Sequence, residues 1–183
     1  MKKSKLAFID VETTGLIPSK HEIIELGCLV VRPLDDSPRP KWEVVDELEL
    51  KVKPTHLETA EPEALRVNGY NDGDWLFAVS LEQAMKTLAE KIADTTVIAQ
   101  NVTFDWSFLE QAFAQTGVMP KVFYLKLDVP SMVYGKLHAD PRLQKLSLWS
   151  LAEYFGVKNA SAHTALADAR ATFEIFQKLM ALP

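Results

Sequence analysis

Phe8-Ile9-Asp10-Val11-Glu12-Thr13-Thr14-Gly15-Leu16 ends an apolar run on two carboxylates and a turn. In an extended strand alternate side chains share a face, so Asp10 and Glu12 would project together with Cα atoms roughly 6 to 7 Å apart. Such a pair can hold one divalent cation. Two ordinary surface acids at a strand end would read the same way, so the rest of the chain has to separate the two.

The 183 residues, 48% hydrophobic and 25% charged, fit one globular domain over 1–183 with a substantial buried core. A formal net charge of -5 argues against the broad basic surface that drives non-specific binding to duplex DNA, while leaving room for a local basic groove. Any polyanionic substrate would therefore need cations at the site. The single cysteine, Cys28, lies in the apolar run Leu26 to Val31; it can form no internal disulfide, fits a reducing compartment and reads as a buried structural thiol. The basic start, Met1 to Lys5, leads into an apolar run that Asp10 interrupts too soon for a signal-peptide core or a membrane span, so a cytoplasmic protein without membrane contact is expected.

Working outward, 5–11, 23–32 and 42–53 read as three strands separated by turn-rich segments, and short connections predict antiparallel pairing. The third alternates, with Val44, Asp46, Leu48, Leu50 and Val52 on one face, and so should be half exposed. The tract 54–75 is irregular apart from one short helix at 62–66. Ser80-Leu81-Glu82-Gln83 has the form of a capping box opening a helix over 80–93, followed by a short strand at 95–100. A helix over 103–116 stops at Gly117, a further strand is expected at 122–129, and helices at 130–137, 147–155 and 163–182 complete the chain. Strands first, then alternating helix and strand, predict an α/β fold with helices packed on a mixed sheet.

Two further polar groups stand out. Asn101-Val102-Thr103-Phe104-Asp105 lies where a strand hands over to a helix, although Asp105 could equally be a first-turn acid that complements the helix dipole. His163-Thr164-Ala165-Leu166-Ala167-Asp168 opens the last helix. Five residues at about 100° each put His163 and Asp168 some 140° apart, so His163 is expected on the loop or first turn.

Three ordered motifs together, Asp10 to Leu16, Asn101 with Phe104-Asp105, and His163 with Ala165-Leu166 and Asp168, resemble the DEDD-type 3′-to-5′ exonucleases of the subclass with a histidine base. Ile23-Ile24-Glu25-Leu26-Gly27 and Val67-Asn68-Gly69 are lesser similarities. The resemblance implies a ribonuclease H-like mixed sheet of about five strands, three antiparallel and then two parallel, flanked by helices. It implies two Mg²⁺, with Mn²⁺ as substitute: Asp10 bridging both, Glu12 and Asp168 completing one site, Asp105 at the second, and His163 as general base. Thr13, Thr14 and Gly15 are substrate candidates through their backbone, Leu16 as a wedge against the last base, and Asn101 and Phe104 as residues near the 3′ end, although Gly15 also fits a plain turn residue and Phe104 fits the core equally well.

The implied partner is a single-stranded 3′ end, DNA favoured, with a DNA polymerase partner and a homodimer both compatible. RNA trimming and a catalytically silent binding module remain as alternatives. Tyr70, Trp75 and Trp106 could stack on bases but fit the protein interior better; Lys136, Arg142 and Lys145 fall where relatives of this kind contact phosphates, and equally fit a solvated face. His21, His56 and His138 match no motif and read as surface or capping residues.

Overall fold

The computed structural model describes residues 4–37, 39–158 and 164–183. Its centre is a five-stranded sheet of order β3-β2-β1-β4-β5, with β1 at Lys5–Thr13, β2 at Ile23–Pro33, β3 at Trp42–Lys51, β4 at Thr95–Ala99 and β5 at Leu127–Asp128. β1 to β3 pair antiparallel, as their short connections predict, while β4 runs parallel to β1 and β5 to β4, as the resemblance implies. The helices are α1 (Pro62–Val67), α2 (Leu81–Lys91), α3 (Val102–Thr116), α4 (Val129–Leu137), α5 (Leu148–Phe155) and α6 (Ala165–Ala181).

The alternation of β1 sorts the core into two layers. Ala7, Ile9 and Val11 face α2 and α3, whose Met85, Leu88, Phe108 and Phe113 close that side. Leu6 and Phe8 face α4, α5 and α6, and the Phe8 ring sits 5.1 Å from Phe173 and 5.3 Å from Phe176. A fully buried side chain such as Phe8 contributes about 1.5–3 kcal/mol, which locks β1 against α6. Continued two residues further, that even-numbered face carries Asp10 and Glu12 toward the start of α6. β2 is covered on both faces, with nine consecutive buried residues, Ile23 to Val31.

Three expectations are corrected. The strand at 122–129 shrinks to Leu127–Asp128, because β4 offers only Ile98 and Ala99 as partners there. Before that, Phe123 donates its N–H to the Thr95 carbonyl, and the chain then leaves the sheet with Tyr124 and Leu125 exposed. In β3 a register shift opposite Val30 and Val31 turns Val44 away from the face of Asp46: Val44 borders the same cleft as Glu47 and Arg170, while Asp46 pairs with Lys91 of α2 at 2.6 Å. β1 runs to Thr13 rather than Val11, so Glu12 lies inside the strand.

The irregular tract leaves and returns at one place. Lys53 donates its N–H to the Val79 carbonyl and Val79 to the Lys51 carbonyl, closing the loop over Trp75. No helix among the described residues is long and apolar enough to cross a membrane.

Candidate active site

One carboxylate oxygen from each of Asp10, Glu12 and Asp168 lies within 4.8 Å of the others, and all three residues are half-buried. Asp10 and Glu12 reach this point because β1 keeps its pleat past the last β1–β4 pair, Phe8 with Ile98. Asp168 reaches it from the first turn of α6, which Thr164 caps by accepting the Ala167 N–H at 3.3 Å.

Asp105 comes from the other helical layer. It sits in the first turn of α3, is 2% exposed, and accepts the Val11 N–H at 3.1 Å, where β1 has outrun β4. Asn101 before it adopts a left-handed backbone with φ 68°, a conformation asparagine tolerates, and is exposed. The next N–H, of Val102, is taken by the Asp128 carboxylate at 3.1 Å.

Burial, and after it the charges of Asp105, Glu12, Asp168 and Glu25, hold the Asp10 carboxyl well above the usual carboxylate range. Burial, then Asp168 and Glu25, push Glu12 up to about 7. Asp105 is pushed up to about 8, chiefly by burial; its bonds to the Val11 and its own N–H oppose the rise, and Glu12 and Asp128 add to it. The charged groups acting most strongly on Asp10 and Glu12 are all carboxylates, so their repulsion is relieved by a bound cation or by protonation. An all-oxygen donor set of this kind suits Mg²⁺ or Mn²⁺.

The turn that follows is braced from behind. The Thr13 hydroxyl donates to the Gly15 carbonyl at 2.7 Å, and the Thr14 hydroxyl accepts the Glu22 N–H at 2.9 Å. The Thr13 carbonyl accepts from the Asn68 side chain at 2.8 Å, and the Thr14 carbonyl from the Glu61 N–H at 2.8 Å. Leu16 is 70% exposed at the tip, and Phe104 is half-buried against Phe108 with ring centroids 5.0 Å apart.

His21, expected as a surface or capping residue, is buried under this turn. Its Nδ1 accepts the Ile17 N–H at 2.9 Å, and a Cβ on Gly15 would stand 2.5 Å from the ring. His56 and His138 are exposed, as expected.

The remaining assignments divide. Trp75 is buried, with its Nε1 donating to the Ile24 carbonyl at 2.9 Å, and Tyr70 packs against it at 4.9 Å. Trp106 is half-buried beneath Lys126, whose Nζ is 4.2 Å from the ring centroid. Lys136 donates to the Leu182 carbonyl at 2.9 Å and Arg142 grips Asp140 at 2.6 Å, whereas Lys145 borders an open cleft beside Trp149. His163 lies outside the described residues.

Compared with known proteins, residues 7–176 match the family model described as exonuclease, RNase_T. The chain belongs to the RNase_T exonuclease family. Among relatives of this exonuclease family, the chain is 29% identical over 191 residues to the 3′-5′ DNA exonuclease Cap18 of Escherichia coli, covering 97% of this chain and 93% of that protein. It is 28% identical over 182 residues to the PolC-type DNA polymerase III of Caldanaerobacter subterraneus subsp. tengcongensis, covering 97% of this chain and 12% of the polymerase. The fold superimposes on E. coli exonuclease I in complex with a dT13 oligonucleotide with a TM-score of 0.78 at 18% identity, covering 97% of this chain and 41% of that one. The chain thus spans most of Cap18 but only a minor part of the polymerase and of exonuclease I.

Within this exonuclease fold, sequence reasoning missed the part played by Glu25, Asn68 and His21. The signal for Glu25 was a charge inside an otherwise apolar strand; for His21 it was a histidine directly before that strand, two residues from Ile23.

Proposed function

We propose that the chain is one exonuclease domain that removes nucleoside 5′-monophosphates from single-stranded 3′ ends, with DNA as the favoured substrate. The observation that carries this reading is the convergence of Asp10, Glu12 and Asp168 oxygens within 4.8 Å, beside a buried Asp105. Asp10, Glu12 and Asp168 would hold one divalent ion, and Asp10 with Asp105 would hold a second. When bound, Mg²⁺ or Mn²⁺ supplies Lewis-acid stabilisation of the charge that builds on the attacking and leaving oxygens.

Leu16 wedges against the last base and the Thr13–Gly15 backbone meets the terminal nucleotide, with Asn101 and Phe104 near the 3′ end. His163 takes the proton from the attacking water. The bond between phosphorus and the 3′ oxygen breaks, so the shortened strand keeps a 3′ hydroxyl and the released nucleoside carries the 5′ phosphate.

Likeness to the DNA exonuclease Cap18 and to the PolC-type DNA polymerase, and the dT13 strand on exonuclease I, support DNA over RNA; the polymerase likeness also makes a replicative partner the natural one. The test is a side-by-side digestion of matched 5′-labelled DNA and RNA oligomers with Mg²⁺ or Mn²⁺. Stepwise shortening from the 3′ end, faster on DNA, is expected, with nucleoside 5′-monophosphate as product. RNA digested faster than DNA would move the chain to 3′-end trimming of RNA.

A further inference from the structure

Glu25 sits within the buried run of β2, between Ile24 and Leu26, and is 2% exposed. A carboxylate placed there is costly unless its oxygens are satisfied. One Glu25 oxygen accepts the Ala165 N–H at 3.0 Å; the other lies 3.7 Å from Lys51 Nζ, its cross-strand neighbour on β3. Lys51 is itself held, 3.5 Å above the Trp75 ring. On its other side Glu25 pairs with Glu12 of β1.

Ala165 is the first residue of α6, so its N–H is one of the orphan donors of that helix end, and an anion there also suits the helix dipole. Two residues along β2, Gly27 lets the helix backbone ride directly on the strand: a Cβ would stand 2.1 Å from the Ala165 carbonyl carbon. Gly27 is in turn the β-partner of Asp10. The start of α6 is therefore seated on the stretch of β2 that pairs with Asp10 and Glu12, and Asp168 follows within one helical turn.

We infer that Glu25, backed by Lys51, is a positioning residue that seats the α6 N-terminus and thereby sets Asp168 against Asp10 and Glu12. The inference rests on the reading of those three carboxylates as a metal site. Both Glu25 oxygens are committed to Ala165 and Lys51, so its role is to place a ligand rather than to be one.

Mn²⁺ binding to the full chain without nucleic acid, followed by electron paramagnetic resonance, separates placement from charge. Glu25→Gln keeps an oxygen that can accept the Ala165 N–H, and should bind Mn²⁺ within about threefold of the wild type. Glu25→Asp keeps the charge but is a methylene too short, and should bind at least about 10-fold more weakly, the range seen when an outer-shell partner of a metal ligand is lost. Chemical denaturation of both variants shows that each is folded. Equal affinity for Glu25→Asp and wild type overturns the inference, as does a Glu25→Gln loss as large as that of Glu25→Asp. Wild-type protein that binds no Mn²⁺ overturns the site reading and this inference together. Protein that binds Mn²⁺ but shortens no strand overturns only the exonuclease reading, and the variant pattern then decides this inference alone.

Discussion

Glu12, at about 7, and Asp105, at about 8, sit far above free carboxylates because burial and neighbouring charge disfavour their ionised forms. Their folded-state values exceed their unfolded values, so the stability they contribute is full below about pH 4 and is lost as pH rises through 7 to 8. In EDTA, Glu12→Gln should therefore melt a few degrees above the wild type at pH 8, the shift that about 1 kcal/mol gives a chain of this size, and no higher at pH 4. Mg²⁺ requires the ionised forms, so its stabilisation of the wild type should grow across the same window; a melting shift that is constant from pH 5 to 8 would oppose this assignment. Gly15→Ala is predicted to act differently. The new methyl meets the His21 ring, so steady-state kinetics should show a raised KM for oligonucleotide at unchanged Mn²⁺ affinity. His163→Ala should lower kcat while leaving Mn²⁺ affinity near the wild type.

At the scale of elements, Gly27→Ala should cost about 3 kcal/mol in chemical denaturation, the upper end for overpacking, because the obstacle is helix backbone rather than a movable side chain. Most elements were legible in the sequence because local signals agree with their tertiary setting. Ser80 does accept the Gln83 N–H at 3.2 Å, and Gly117 does end α3. β5 was not legible, since Val122 to Val129 reads as a strand locally while its length is set by what β4 leaves unpaired. The face of Val44 was lost to a bulge that no β3 residue announces. In the site, the shared face of Asp10 and Glu12 was legible from strand spacing, whereas Asp105 and Asp168 joined them only through the resemblance. Glu25 and His21 were not legible, because each acts through a partner distant in sequence or hidden behind a turn: Ala165 lies 140 positions from Glu25.

At the scale of the molecule, a net charge of -5 leaves little long-range attraction for a nucleic acid, and Lys136 and Arg142 are already engaged within the protein. Binding should rest on the carboxylate-bearing end of the sheet and a few cations, the unengaged Lys145 among the candidates. The logarithm of single-strand affinity against the logarithm of salt should then fall with a slope of about 2 or less, since each phosphate contact contributes about 0.7. Filter binding in Ca²⁺ checks this, and a slope well above 2 would point to a longer basic track. The two helical layers meet the sheet so that β1 and α6 supply three carboxylates from one face and α3 supplies Asp105 from the other. The measurement that tests this arrangement most directly is an anomalous difference map from crystals grown with Mn²⁺. Two peaks about 3.5 to 4 Å apart are predicted, one ligated by Asp10, Glu12 and Asp168 and the other beside Asp10 and Asp105; a map with no peak in coordination range of Asp10 would contradict the account.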